Sequence, residues 1–399
     1  MLKLRPATVV DTEPLDEDPS PGADGEAPSG QARVREQRLV VELTAPDGLR
    51  DRRAAIADVT LVGRAEVGDE VIVNVEALDL GLGSGGFDIV HVNLTRGLEG
   101  AGEPGAAVMK LNYTSLQHAV APVEDARLEL PLERPVAVLA LHGQLAAVAW
   151  AFSRGAPGKR LGYVQSCGGA LPGGHSRTVR ALREQGLLAG HLTAGAAFGG
   201  EGEAITTAGA LHHGLRTLGW DAAVCGPGPG IVGSSSALGH GGMEALDSAH
   251  VSLALGCRTL LVARMSTSDD RERHRGISHH TLTVLDLLLE PVTVALPAGM
   301  RSPVGADLRA GLGAVFAGAI RGRPALALDV ERPVRITRHD WRRATVDLPA
   351  YAASGLSSHT MGRGLADDPL FFGAALAGGT ALAELSLETE PDDGAGESG

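Results

Sequence analysis

Histidine and arginine concentrate in one short stretch of this chain, Met265 to His280, which reads MSTSDDRERHRGISHH. His274, His279 and His280 are imidazoles able to carry protons near neutral pH, and Arg273 and Arg275 can hold an anion through charge-assisted hydrogen bonds. The combination points to a small anionic ligand, with histidine moving a proton. Metal ligation is the competing use of three histidines. Their spacing matches no HExxH or compact zinc pattern, and the neighbouring arginines oppose a cation, so no metal ligand is assigned. A surface loop laced with salt bridges is the plain structural alternative, and Ser278 stands where it would cap the following helix.

A second stretch, Cys225 to Gly242 (CGPGPGIVGSSSALGHGG), is expected to face the same ligand. Gly226, Gly228, Gly230 and Gly233 allow close backbone approach, Ser234 and Ser235 offer hydroxyls, and N–H groups at a helix start favour negative charge. Gly228, Gly230 and Gly233 satisfy GxGxxG, but Pro229 stiffens the turn and no helix begins at once, so a dinucleotide fingerprint is not expected. A crossover loop whose glycines merely permit close packing is the alternative. Arg363, between Gly362 and Gly364, adds a guanidinium that can swing toward an anion. Asp367 or Asp368 would cap the last helix ahead of Pro369.

Weaker candidates accompany these. Cys167 ends a strand and becomes a nucleophile only if His175 folds back as its base; otherwise it packs, as Cys225 and Cys257 are expected to. His142 should sit at the same rim, and Glu201 or Glu203 precedes a helix start, where a carboxylate complements the dipole. GLGSGG at Gly81 to Gly86 leads into a strand-like run, which favours a glycine hairpin or bulge over a phosphate loop.

The elements that must position these groups follow from apolar patterning. From Pro135 onward short apolar runs alternate with helical segments: Val136–Leu141, Leu161–Gln165, Leu188–Thr193, Ala222–Cys225, Thr259–Ala263, Val292–Leu296 and Ala325–Val330 are the expected strands, with a helix at 308–319 before the last. This is an α/β pattern that predicts a doubly wound, mostly parallel sheet, whose ligands bind outside the carboxyl ends of the strands. Before it, strands at Leu4–Val10, Arg38–Leu43, Ala55–Leu61, Glu70–Leu78 and Asp88–Leu94 predict a small antiparallel β module, with Met109–Thr114 as a further strand. The expected organisation is a β-rich module over 1–134 with a disordered acidic insertion at 11–31, an α/β domain over 135–340, a loop and helix over 341–387 with a strand near Thr345–Leu348, and an acidic tail at 388–399.

Composition narrows the partners. The 399 residues are 44% hydrophobic and 21% charged, with only 3% aromatics and 55 glycines, so a large core must be built from Ala, Val and Leu. The net charge of −13 is concentrated: Asp11–Glu26 holds seven acids and Glu384–Glu397 six, with no base in either. The middle is close to neutral, which argues against nucleic acid or an anionic membrane and for a small molecule, with a homo-oligomer as an open possibility. The first ten residues have no long apolar run, and three scattered cysteines make no disulfide framework, so a cytoplasmic location is expected. The cofactor requirement is left open.

Five motifs in order, GLGSGGFD at Gly81, TAGAAFGGEGEAI at Thr193, GPGPGIVG at Gly226, RHRGISHHTL at Arg273 and TMGRGLADDPLFF at Thr360, resemble a bacterial domain-of-unknown-function family found mainly in actinobacteria and Firmicutes. The resemblance spans nearly the whole chain and implies no assigned catalytic residue. The chemistry therefore rests on the residues: hydrolysis or group transfer on an anionic or phosphorylated small molecule, or, without catalysis, a ligand-sensing or scaffold role.

Overall fold

The computed structural model describes residues 2–13, 36–44, 50–81, 86–98, 105–169, 172–298 and 332–388. The expected helix at 308–319, the strand Ala325–Val330, most of the acidic insertion and tail, and the centre of GLGSGG lie outside the described residues. The chain divides into two compact units, one of Met1–Pro122, Pro172–His175 and Phe198–Glu203, the other of Val123–Leu171, Ser176–Ala197 and Ala204–Gly399.

In the first unit β1 (Leu4–Thr12), β2 (Glu36–Thr44), β3 (Arg50–Asp58), β4 (Glu70–Asn74) and β5 (Asp88–Asn93) close a small barrel in the order β1-β2-β3-β5-β4. Its pairings are antiparallel except β3 with β5, which run parallel. Val9, Val41, Ala55, Ala57, Val71, Val73 and Val90 fill the interior, as the period of two along a strand requires. Two expected strands stop early. The carboxylate of Asp58 accepts from the N–H groups of Thr60 and Leu61, so residues Val59–Val62 turn into a helical loop; beyond Asn74 a second short helix, Glu76–Asp79, takes over. Asp11 and Thr12, expected in the insertion, extend β1. A hairpin of β6 (Val108–Lys110) and β7 (His118–Val120) follows, so the strand expected to reach Thr114 ends at Lys110. Lys110 is paired with Glu203 at 2.7 Å.

The second unit carries β8 (Pro135–Val138), β9 (Leu161–Ser166), β10 (Gly190–Ala194), β12 (Ala222–Pro227), β13 (Arg258–Val262), the antiparallel pair β14 (Met265–Ser266) and β15 (Gly276–Ile277), β16 (Thr293–Pro297) and β17 (Asp340–Ala344); of β11 (Gly202–Ala204) only Ala204 belongs to it. The eight-stranded sheet runs β11-β10-β9-β12-β8-β13-β16-β17, and every pairing from β10 to β17 is parallel. Strands β8, β9, β10 and β12 are buried along their whole length, because helices cover both faces. One face packs on helices Leu145–Gly155, Arg177–Glu184 and Pro369–Leu387; the other packs on Thr207–His212, Glu244–Ala254 and His279–Leu287.

Connections from β8 and β9 run toward β11, whereas those from β12 and β13 run toward β17. The exits diverge at β9/β12 and at β8/β13, giving two crevices at the carboxyl edge where such folds place ligands. The strand expected near Thr345 is instead Asp340–Ala344, parallel to β16, and residues 348–352 form a helix capped by Asp347. The closing helix spans Pro369–Leu387. By length and composition it is apolar enough to cross a membrane, but 83% of its apolar window is buried within the fold. Its Gly379 lets it close on the neighbouring helix, since a Cβ there would stand 2.3 Å from the Val148 carbonyl oxygen.

Candidate functional site

The site begins where β13 ends. Arg264 follows the apolar strand and is 3% exposed. Its Nη1 donates to Nδ1 of His280 (3.0 Å) and its Nη2 to Asp269 (3.4 Å). Burial lowers the Arg264 pKa to about 10, partly offset by Asp269. Asp269 collects cations: besides Arg264 it takes Nε and Nη2 of Arg271 (2.9 and 3.0 Å) and Nη2 of Arg363 (3.2 Å). Burial opposes its charge, but the hydrogen bonds from Arg271 win and hold the carboxyl far below the usual range. Arg363 also meets Asp368 at 3.3 Å, so its guanidinium is held between two carboxylates. Asp368 makes no side-chain cap on the last helix; it accepts from the Ser266 hydroxyl (2.6 Å) and the Thr267 N–H (2.9 Å), while Asp367 accepts from the Gly364 N–H.

Ser278 caps helix His279–Leu287 by accepting from the His280 N–H, and its hydroxyl lies 2.8 Å from Nδ1 of His274. The cap thereby aims three imidazoles inward. His274, His279 and His280 are buried, with ring centroids 4.3 to 5.0 Å apart. Burial, reinforced by Arg264 and Arg271, lowers the His274 pKa to about 3. His280 is pushed well down by burial and by His240, so both imidazoles are neutral at pH 7. Arg273 is half-buried; Arg275 is exposed and donates from Nε to the Asp269 carbonyl (2.9 Å).

The glycine stretch reaches this cluster through a residue that spacing did not single out. His240 stacks on His280, with centroids 3.3 Å apart and planes inclined by 15°. Its Nε2 donates to the Ala237 carbonyl (3.0 Å), and burial lowers its pKa. The glycines and serines serve the loop itself. Gly226 allows close strand packing, because a Cβ would lie 2.7 Å from that of Leu139. Gly228 touches Gly169 through its carbonyl, Gly230 has φ 82°, and Gly233 bridges to His240. The Ser234 N–H and hydroxyl both bond to the Gly239 carbonyl, and the Ser236 hydroxyl accepts from the Gly239 N–H; Ser235 is exposed. The signal for His240 was present in GHGG, a histidine directly before a helix; that for Arg264 was a charge ending an apolar strand.

His142 and Cys167 follow strands β8 and β9 at the second crevice. His142 lies between the hydroxyls of Tyr163 (3.3 Å) and Ser176 (2.7 Å). Cys167 accepts from the Ala196 N–H at 3.3 Å, while His175 pairs with Asp58 at 3.3 Å, so each has a partner other than the dyad considered from sequence. Burial raises the Glu244 carboxyl to about 7, with the Ser166 hydroxyl working against the shift. Cys225 and Cys257 are buried. Glu203 also accepts from the Gly199 N–H (2.6 Å), and the helix start it was expected to complement is capped by Thr206.

Ligand atoms of His274, His279 and His280 lie within 4.8 Å of one another. A cation there would need a lone pair of His280, but its Nδ1 accepts from Arg264 and its Nε2 then carries the ring hydrogen, and the ion would sit among Arg264, Arg271 and Arg273. The donor set fits an anion better.

No curated protein and no solved structure matches the chain. Residues 54–379 match the family model described as protein of unknown function (DUF3866), and the chain belongs to that family.

Proposed function

We propose that the chain is a cytoplasmic small-molecule enzyme performing hydrolysis or group transfer on an anionic or phosphorylated substrate at the histidine–arginine cluster. The observation carrying this reading is the stack of His240 on His280, beside the bond from Arg264 to His280, which unites the connection after β12 with the one after β13 at the carboxyl edge. Arg264 and Arg273 attract the anion, and the neutral imidazoles exchange its proton in a dry setting where electrostatic effects are large. His240 and His280 take the leading part, with His274 and His279 beside them. Nucleic acid and membrane are not partners in this reading.

The test is turnover of a panel of phosphoesters and carboxylic esters. His280→Ala should lower kcat/KM for the hydrolysed member by about a hundredfold or more. A second reading, a ligand-sensing scaffold, is favoured by the way Arg271 and Arg363 are already committed to Asp269. No turnover across the panel, together with thermal stabilisation by one of its members, selects that reading.

A further inference from the structure

We infer that the cluster is built for an oxyanion that retains one hydroxyl, of which hydrogen phosphate is the simplest, and that it discriminates against sulfate. This rests on the anionic-substrate reading above and narrows its chemistry. Three buried atoms carry it: Nε of Arg264, Nε2 of His280 and Nδ1 of His240 have no hydrogen-bond partner among the described residues. Their side chains belong to residues only 3%, 7% and 7% exposed. The three residues form one contiguous group, since His240 is stacked on His280 and Arg264 is one hydrogen bond further on.

Their proton content follows from the partners of the neighbouring atoms. A guanidinium only donates, so Nδ1 of His280 is an acceptor and the hydrogen of the neutral ring sits on Nε2. His240 uses Nε2–H on the Ala237 carbonyl, so its Nδ1 presents a bare lone pair. The cluster therefore offers two donors, Arg264 Nε and His280 Nε2, and one acceptor, His240 Nδ1. Nε of Arg273, also buried without a partner among the described residues, adds a third donor at the half-buried edge.

Each possible occupant can be scored against that set. A metal ion satisfies the lone pair of His240 and opposes every donor. Sulfate satisfies the donors but sets its own lone pairs against that of His240. Hydrogen phosphate satisfies both, accepting from arginine and imidazole while its O–H donates to His240. Burial makes the mismatch expensive, because a polar group left opposed away from water loses its hydration without replacement.

Titration calorimetry on the full chain, near neutral pH and at constant ionic strength, compares sodium phosphate, sodium sulfate and zinc chloride. Phosphate should bind at least about tenfold more tightly than sulfate, the direction expected of a site built to hydrogen-bond a hydroxyl. In His240→Phe, which keeps a flat ring against His280 but offers no acceptor, the ratio should fall toward one. Equal affinities in the wild type, or a ratio unchanged in His240→Phe, overturn the inference and leave the anionic reading standing. Binding of neither oxyanion, or zinc binding that phosphate does not accompany, overturns both.

Discussion

His142 and His240 both lie buried at the carboxyl edge of the same sheet, one beside β9 and β12, the other beside β13. Both nitrogens of His142 are engaged, by Tyr163 and Ser176, and Tyr163 in turn donates to the carbonyls of Gly226 and Pro227. Around His240 and His280 the polar atoms are satisfied on one side only. A closed network has used its hydrogen bonds to fix the fold, and it has none left for a ligand. A half-closed one keeps a desolvation cost that a ligand can relieve, which is why the two histidines are read differently although burial lowers both pKa values.

The largest effect is expected at Asp269. Asp269→Ala leaves Arg264 buried without its carboxylate and should destabilise the chain by about 3–5 kcal/mol, as loss of one partner from a buried pair does. Chemical denaturation measures it, and a loss within experimental error would show that the arginines do not depend on that carboxylate.

A smaller change sharpens the other side. His142→Ala removes two hydrogen bonds from a closed network and should cost about 1–3 kcal/mol of stability. Phosphate affinity, read by calorimetry, should not change. Weakened phosphate binding in this variant would place His142 in the functional site and erase the distinction.

An effect that depends on pH is expected from Glu244, in the same crevice as His142. Its folded pKa, about 7, lies above the ordinary carboxylate value, so the folded state holds the proton more tightly than the unfolded one. Its contribution to stability is complete at acid pH and is lost as pH rises through about 7. Glu244→Gln, which stays neutral, should gain on the wild type as pH rises and then level off. Thermal midpoints across a pH series test this; a difference that does not vary with pH would contradict a proton held by Glu244.

Much of the architecture was legible in the residues. Apolar runs buried on both faces, separated by helical segments, require a parallel sheet, and the alternation in the first hundred residues requires a half-buried β structure. Ser278 was readable as a cap because a hydroxyl before an apolar helix has one obvious use. The density of His and Arg in 273–280 also pointed to the segment in which His274, His279 and His280 are buried together, since such charge on a connector between strand and helix needs a reason.

What the residues could not disclose was which groups face one another. His240 and His280 are forty positions apart and meet only because the crossover from β12 passes over β8 to reach β13. Asp368 looked like a helix cap, yet tertiary packing offered it Ser266, Thr267 and Arg363, stronger partners than the N–H groups of its own helix. Local periodicity fixes which face of an element is buried, and so the sequence by itself determined the layers. Hydrogen-bond satisfaction depends on atoms brought together from distant segments, so tertiary packing settled which imidazoles have both nitrogens engaged, as His142 does, and which keep one without a partner among the described residues, as His240 and His280 do.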